Sequence, residues 1–492
     1  VNHGQAEQLI SEASDDALYE ILNLRTITAQ QIIDKEKKHI QGDLYYDYLE
    51  NWKEIIELMA YEDDARYDQY LTSFNTRIER INAEADKTSP AYHILLGEIY
   101  AHAGMANVMF GDYFAGFRKI LKANRNVKKN VDAHPDYWLN NKLSGMLNVS
   151  LDKIPSIMKW FTSLFGLAGN SEDGYKKLGK YLEDVQEYPG LKSEALLYYT
   201  FALKLSKKDD VAYELLINEN EIDQSPSLLL FVWANLLYLT ERNEEALTAL
   251  SSFPNDQLEI PFHYMTYMTG KAKQNRLDED ADVYLLNFLE KSNGKNFKRE
   301  ICMRLAFHYY VYGDQKKYIY YKNLVPNHTK PNTDRDREAD VESLRPYDPH
   351  PELLKARFLT SGSYYSRANE IISNIDPKDL DRSAFQAEYY LQKGKIRLGM
   401  RYYDEVIKNC NKAIVIGKEL NEPYAAEAAL VAGYAFHLQD DLEKSESYLK
   451  LALKIKGKND VYIENIHKRA KNRLKIIGSV NHASEIVSQM QG

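Results

Sequence analysis

The feature that most constrains this chain is a pattern of small residues shared by two consecutive stretches near its C-terminal end. One stretch runs from Gly394 through Tyr403 and Val406 to Cys410 and Ala413, and the next from Gly433 through Phe436, Leu442 and Ser445 to Leu449 and Ala452. Close helix approach explains the pattern. Gly394 or Gly433 lets the first helix of a pair (helix A) touch the second (helix B), which answers with Val406 or Ser445. Ala413 and Ala452 then admit the next pair, and larger residues such as Leu449 fill the space between layers. One such pair cannot bury its apolar face alone, so neighbouring pairs must stack.

The two copies lie about one 34-residue tetratricopeptide unit plus a short loop apart. Weaker copies occur upstream: Ser227–Leu247 with Ala234 and Ala246 at the small positions, Leu305–Asp314 with Ala306 and Gly313, Lys355–Ala368 with Ala356 and Gly362, and the start Leu95-Leu96-Gly97. Extended Val/Ile/Thr alternation bounded by hairpin turns is missing. Breakers fall where a helical array puts them, at Pro226, Pro254, Ser292–Gly294 and Asn421–Pro423. The expected fold is all-α, a right-handed superhelix (α-solenoid) of tetratricopeptide-like helix hairpins.

Two regions depart from the repeat and set the expected boundaries. Residues 1–125 read as N-terminal helical repeats, 126–190 as a non-repeat apolar helical insert and 191–324 as tetratricopeptide-like repeats. Residues 325–352 read as a polar, proline-rich linker that folds across the surface, 353–478 as C-terminal repeats and 479–492 as a tail. Within the insert, Ile154–Ala168 is the most apolar run. Pro155, Lys159 and Gly166 interrupt it, and it falls short of the ~20 residues of a spanning helix. Trp160, Phe161, Leu164 and Phe165 in this run read as a plug for the superhelix interior or as an interaction helix.

These departures carry a resemblance. Asn148, Leu151, Pro155, Phe165, Gly166, Gly169, Asn170 and Gly174 form an N-x-x-L-x-x-x-P … F-G-x-x-G-N-x-x-x-G pattern. It resembles the family that joins eukaryotic tetratricopeptide-repeat protein 39 to the yeast inclusion-body clearance protein, thinly over residues 90–475. In composition the chain is similar to the tyrosine- and lysine-rich tetratricopeptide proteins of Bacteroidetes. The resemblance implies an all-α repeat fold and a non-enzymatic binding role, and it brings no catalytic residues with it.

Composition narrows the function. With 72 acidic against 63 basic residues the net charge is −9, which argues against general nucleic-acid affinity. The local basic run Lys119–Lys129 reads as the solvated side of one helix. Cys302 and Cys410 are too few for a disulfide framework and make no metal motif, so a reducing compartment or a disulfide-independent secreted protein fits equally. A chain that starts at Val1 reads as a mature protein after signal removal or as a trimmed piece. The first option points to a periplasmic or cell-envelope location, the second leaves the cytoplasm open.

The sequence contains no H-E-x-x-H, P-loop, G-x-S-x-G or G-x-G-x-x-G. The carboxylate pairs Asp63-Asp64 and Asp440-Asp441 read as helix caps. Asp334–Asp340 lacks the central glycine and terminal glutamate of a calcium loop. No enzyme, metal or cofactor is expected. What remains is the helix A face, which in this repeat type lines the concave groove. By register it presents Phe231, Asn235 and Tyr238; Phe307 and Tyr310; Lys395 and Leu398; and Tyr434 and His437. The expected function is a protein–protein scaffold that holds a partner segment on this face, possible in a membrane-associated complex but with no transmembrane segment of its own. The alternative is a SusD-like glycan or small-molecule binding component of outer-membrane uptake.

Overall fold

The structure is a computed structural model that describes residues 10–38, 43–153, 168–219, 222, 225–328, 333–420, 422–456 and 461–490, with the backbone alone from 479. Every regular element among them is helical. The chain divides into two compact units, residues 1–265 with 292–294 and residues 266–291 with 295–492.

The first unit holds α1 (Glu12–Leu22), α2 (Thr26–Lys37), α3 (Leu44–Tyr61), α4 (Asp64–Glu84), α5 (Tyr92–Met109) and α6 (Tyr113–Ala133). It continues with α7 (Asn140–Lys153), α8 (Ser171–Asp184), α9 (Pro189–Leu205), α10 (Asp209–Ile217), α11 (Ser227–Leu239) and α12 (Asn243–Ser251). Helix α13 (Tyr264–Arg276) contains the division. The second unit continues with α14 (Ala281–Lys291), α15 (Lys298–Val311), α16 (Gln315–Leu324), α17 (Asp334–Ser343), α18 (Pro351–Ser361) and α19 (Tyr365–Ser373). It ends with α20 (Ser383–Gly399), α21 (Tyr403–Gly417), α22 (Tyr424–His437), α23 (Leu442–Lys454) and α24 (Val461–Met490). Each unit is thus an array of helix hairpins, the all-α solenoid construction that the repeat predicts.

The hairpins share one turn. Leu24, Gly111, Lys207, Glu241, Leu277, Gly313, Ser363, Arg401 and Asp440 each lie just after the end of a helix A with φ between +59° and +86°. The residue after each donates its N–H to a carbonyl five residues back at 2.8–3.0 Å, as from Asp112 to Asn107 and from Tyr402 to Arg397. That is the Schellman closure, which satisfies an otherwise orphaned helix-end carbonyl and reverses the chain.

The small residues act as expected. Ser445 Oγ donates to the Gly433 carbonyl at 2.8 Å, and a Cβ on Gly433 would stand 2.9 Å from Leu449 Cγ. Val406, Ala413 and Ala452 are fully buried. The expected insert behaves similarly in its described parts: α7 and α8 pack antiparallel, and Gly145 and Gly174 each lie so close that a Cβ would come within 2.9 Å of the other's carbonyl. Asn170 caps α8 through the Glu172 and Asp173 N–H groups, and Asn148 donates to Asp173 at 2.6 Å. These family-motif residues therefore have packing and capping roles. Trp160, Phe161, Leu164, Phe165, Pro155 and Gly166 lie outside the described residues.

The 325–352 segment differs from a plain linker. Thr333 caps α17 within it, and Asp336 of α17 accepts the N–H groups of Phe297, Arg299 and Glu300 at 2.8, 3.0 and 3.1 Å, closing the start of α15. The division between units falls near Met265 and not in this segment. Asp15 does the same for α9 in the first unit, accepting from Gly190 and Leu191, both at 2.9 Å. Burial of these N–H groups without such partners would leave helix ends unsatisfied.

Candidate functional site

In the first unit the predicted surface lies on α11. Phe231 is half-buried, edge-on to Phe262 with centroids 4.9 Å apart. Asn235 accepts from Lys204 Nζ of α9, and burial depresses that ammonium's pKa. Tyr238 is half-buried one turn further on. Beside Lys204, sequence reading missed Phe201, which is 51% exposed, and Leu205 and Leu239 are exposed too. The signal was an aromatic three residues before a helix A lysine. The α9–α11 face thus offers an aromatic and aliphatic strip around one Lys–Asn bond.

In the second unit the predicted residues meet their own chain. Residues 336–348 run across the helix A faces of four successive pairs. Ala339 shares one apolar cluster with Met303 and Phe307 of α15, and Phe307 is buried there. Glu342 accepts from Arg357 of α18 at 3.2 Å. Tyr347 stands edge-on to Phe385 of α20 at 5.5 Å. Arg345 reaches the Tyr424 hydroxyl at the start of α22 at 2.8 Å and pairs with Glu422 at 3.1 Å. Tyr310 packs against Tyr318 of α16 at 4.7 Å. Lys395 pairs with Glu427 at 2.7 Å, and Leu398 packs against the α20–α22 core. Tyr434 has the Arg473 guanidinium of α24 4.8 Å from its ring centre, and burial lowers the pKa of the neighbouring His437. Phe307 is therefore taken up in packing, while Tyr310, Lys395, Leu398, Tyr434 and His437 keep half-exposed side chains.

Two buried charge networks were not legible as sites. In the first unit Lys142 Nζ lies 3.4 Å from Glu98 and 3.1 Å from Glu194, all three fully buried, with the Tyr48 hydroxyl 2.8 Å away. Tyr181 and Trp52 donate to Glu194 at 2.8 and 2.7 Å, and Tyr198 to Glu98 at 3.0 Å. Burial lifts the Glu98 carboxyl to about 7 against the pull of Lys142, and burial holds the His102 ring down at about 3. In the second unit burial penalises Glu342, but Arg345 and Arg357 override it and keep the carboxyl below its usual range. A single charged letter in an apolar run, as in Leu96-Gly97-Glu98-Ile99, marks one member of such a network but not its partners.

Their chemistry is structural. Lone charges in so dry an interior would be prohibitive, and here each has a counter-charge and hydrogen bonds. Asp63 and Asp441 are helix caps, accepting from Arg66 and Lys444. Cys302 and Cys410 are buried free thiols whose pKa burial raises to about 12, so little reactive thiolate forms. Among the described residues no group of three His, Cys, Asp or Glu is placed to hold a metal ion, and no helix is long and apolar enough to cross a membrane.

No protein-family profile matches the chain, and no curated protein does. Solved structures with similar helical arrangement include an IFIT1 monomeric mutant with Gppp-AAAA, at 12% identity over 92% of this chain and 97% of that one, with a TM-score of 0.33. Naa15/Naa10 bound to HypK-THB matches at 11% identity over 94% and 65%, with a TM-score of 0.25. The P58(IPK) TPR domain matches at 11% identity over 87% and 98%, with a TM-score of 0.20. Likeness at this level equates no side chain of this protein with a side chain of theirs.

Proposed function

We propose that the chain is a non-catalytic scaffold that holds a segment of a protein partner on the helix A face of its first unit. The observation that supports this reading is the contrast between the units: residues 336–348 cover the helix A faces of the second, whereas Phe201, Leu205 and Leu239 stay exposed around Lys204 and Asn235 in the first. An aromatic anchor flanked by aliphatic side chains and one polar pair is the composition of a peptide-binding hot spot. The groove expected to continue through Phe307 and Tyr310 is not part of the proposal. Membership of the protein 39 and inclusion-body clearance family, and a place in a bacterial envelope complex, are compatible with it.

The test is a photo-crosslinking side chain at position 205, exposed beside Phe201, with partner capture compared between the otherwise wild-type full chain and the same chain carrying F201E/Y238S. Loss of a discrete crosslinked partner in the variant, at an unchanged unfolding midpoint, supports the face; capture equal to wild type refutes it. A second reading, binding of a small polar molecule, draws on a cavity of about 190 Å³ in the second unit, walled by Glu300, Arg304, Arg335, Glu338 and Arg357. A thermal-shift screen in which small glycans or amino acids raise the midpoint, and partner capture stays absent, would favour it.

A further inference from the structure

Helix α6 carries a concentration of charge that the rest of the fold leaves uncompensated. From Tyr113 to Val131 it contains Arg118, Lys119, Lys122, Arg125, Lys128 and Lys129 and no acidic residue. Lys119 turns inward and donates to Asn107 of α5 at 2.7 Å. The other five are exposed, and none forms an ion pair among the described residues. Elsewhere many cations meet carboxylates, as in Arg77–Glu54, Lys192–Glu219 and Lys395–Glu427, although α24 carries a second basic run, Lys468 to Lys475, in which Lys468 pairs with Asp334. What sets the α6 run apart is the exposed apolar tip beside it, in a chain whose net charge is −9.

Register explains the geometry. Gly116, Ala123, Val127 and Asn130 are buried against the fold. Phe114, Arg118, Lys122, Arg125 and Lys129, at spacings of four, four, three and four, fall on one stripe of the opposite side. The stripe is about 22 Å long at 1.5 Å per residue. Its N-terminal end is apolar: Tyr113 is 60% and Phe114 65% exposed, and Val108 just before the turn is exposed as well. Arg118 stacks on the Phe114 ring at 4.9 Å, so the first cation and the aromatic present one combined surface. Asp112 is spent as the helix cap, accepting from the Ala115 N–H, and Asp132 closes the other end of the stripe.

We propose that this face of α6 is a peripheral membrane-binding site for anionic phospholipid headgroups, with Tyr113, Phe114 and Val108 entering the headgroup region and the basic stripe lying along the surface. The occupant follows from complementarity. Four unpaired cations on one stripe, with Lys128 at its edge, need a dense anionic partner, and an exposed aromatic and aliphatic tip beside them needs an apolar layer at the same depth. A phospholipid interface supplies both. A folded acidic protein would supply the charge but would leave the tip unexplained. A single nucleic-acid strand would supply phosphates and could stack one base on Phe114, but gives Val108 and Tyr113 nothing to bury in.

The experiment is co-flotation of the full-length chain with vesicles of phosphatidylcholine alone and of phosphatidylcholine with one third phosphatidylserine. Wild type is expected to float only with the anionic vesicles and to be released between ~0.1 M and ~0.5 M salt, as screening weakens exposed charge. K122E/R125E/K129E is expected to bind about 100-fold or more weakly, since each interfacial cation contributes substantially to anionic-lipid affinity. F114S is expected to bind about tenfold more weakly through lost apolar insertion. All four positions are exposed, so unfolding midpoints should match wild type; if the reversal variant does not fold, K122Q/R125Q/K129Q carries the same comparison. No flotation with anionic vesicles overturns the proposal, as does equal flotation of wild type and variants. Tighter binding of a single-stranded oligonucleotide than of the vesicles overturns it in favour of a nucleic-acid site.

Discussion

The Lys142 network makes a prediction whose sign and size follow from its burial. Glu98 is fully buried beside Lys142 and Glu194, and desolvation lifts its carboxyl from an ordinary 4.5 to about 7. A folded-state pKa above the unfolded one means that the folded chain binds the proton more tightly. This group's contribution to stability is complete below pH 4.5 and is lost as pH rises through about 7. That displacement from 4.5 to about 7 corresponds to about 3 kcal/mol. His102 works in the opposite direction: its pKa is depressed from 6.5 to about 3, so its contribution is present above pH 6.5 and falls on acidification. Wild-type stability alone would therefore mix two opposed slopes.

Glu98→Gln separates them. The amide mimics the protonated carboxyl at every pH, so the difference between variant and wild type cancels the His102 slope. Near pH 5 the two proteins should be equally stable within about 1 kcal/mol. By pH 8 the variant should have gained about 3 kcal/mol on wild type. Urea unfolding read by tryptophan emission measures this selectively, because all four Trp lie in residues 1–265. A difference that is constant from pH 5 to 8, or that favours wild type at pH 8, would refute burial as the dominant influence on Glu98.

Other outcomes follow from the same contacts. Lys142→Met leaves two carboxylates without their cation and should cost the first unit about 3–5 kcal/mol, measured by the same tryptophan signal. Asp336→Ala removes the acceptor for three N–H groups of α15 and should lower second-unit stability by about 2 kcal/mol, read by amide hydrogen exchange in α15. Arg401→Gly should stabilise by about 1 kcal/mol, because Arg401 holds φ +64° at an exposed hairpin turn where glycine is unstrained. A thermal melt that shows Arg401→Gly destabilised would contradict the turn assignment. Gly174→Ala should cost about 1–3 kcal/mol by forcing α7 and α8 apart, since the added Cβ would meet Val149 at 2.6 Å.

The fold was more legible than the site. Gly433, Ser445 and Ala452 signal a hairpin because close backbone approach excludes larger side chains, and that rule is local. The shared left-handed turn was not legible, since only Gly111 and Gly313 use the residue that advertises it, while Lys207, Glu241 and Arg401 adopt the same φ. Register placed Phe307 on helix A, but register cannot reveal that Ala339, thirty residues on, returns to cover it. The same limit hid Lys142, Glu98 and Glu194, whose partnership depends on three separate helices. By contrast the basic run in α6 could be read directly, because an exposed helix face is decided by its own periodicity.

The segment that crosses the second unit has a competitive consequence. An incoming peptide there meets a rival joined to the same chain at both ends, whose effective concentration is on the order of millimolar. That rival is also held by the Asp336, Glu342 and Arg345 contacts. Any occupant must first outbid them, so modest affinity for the bare helices would go unseen in a binding assay. For a peptide the second unit is in this sense a lock already holding a key, turned by a ligand able to replace those contacts.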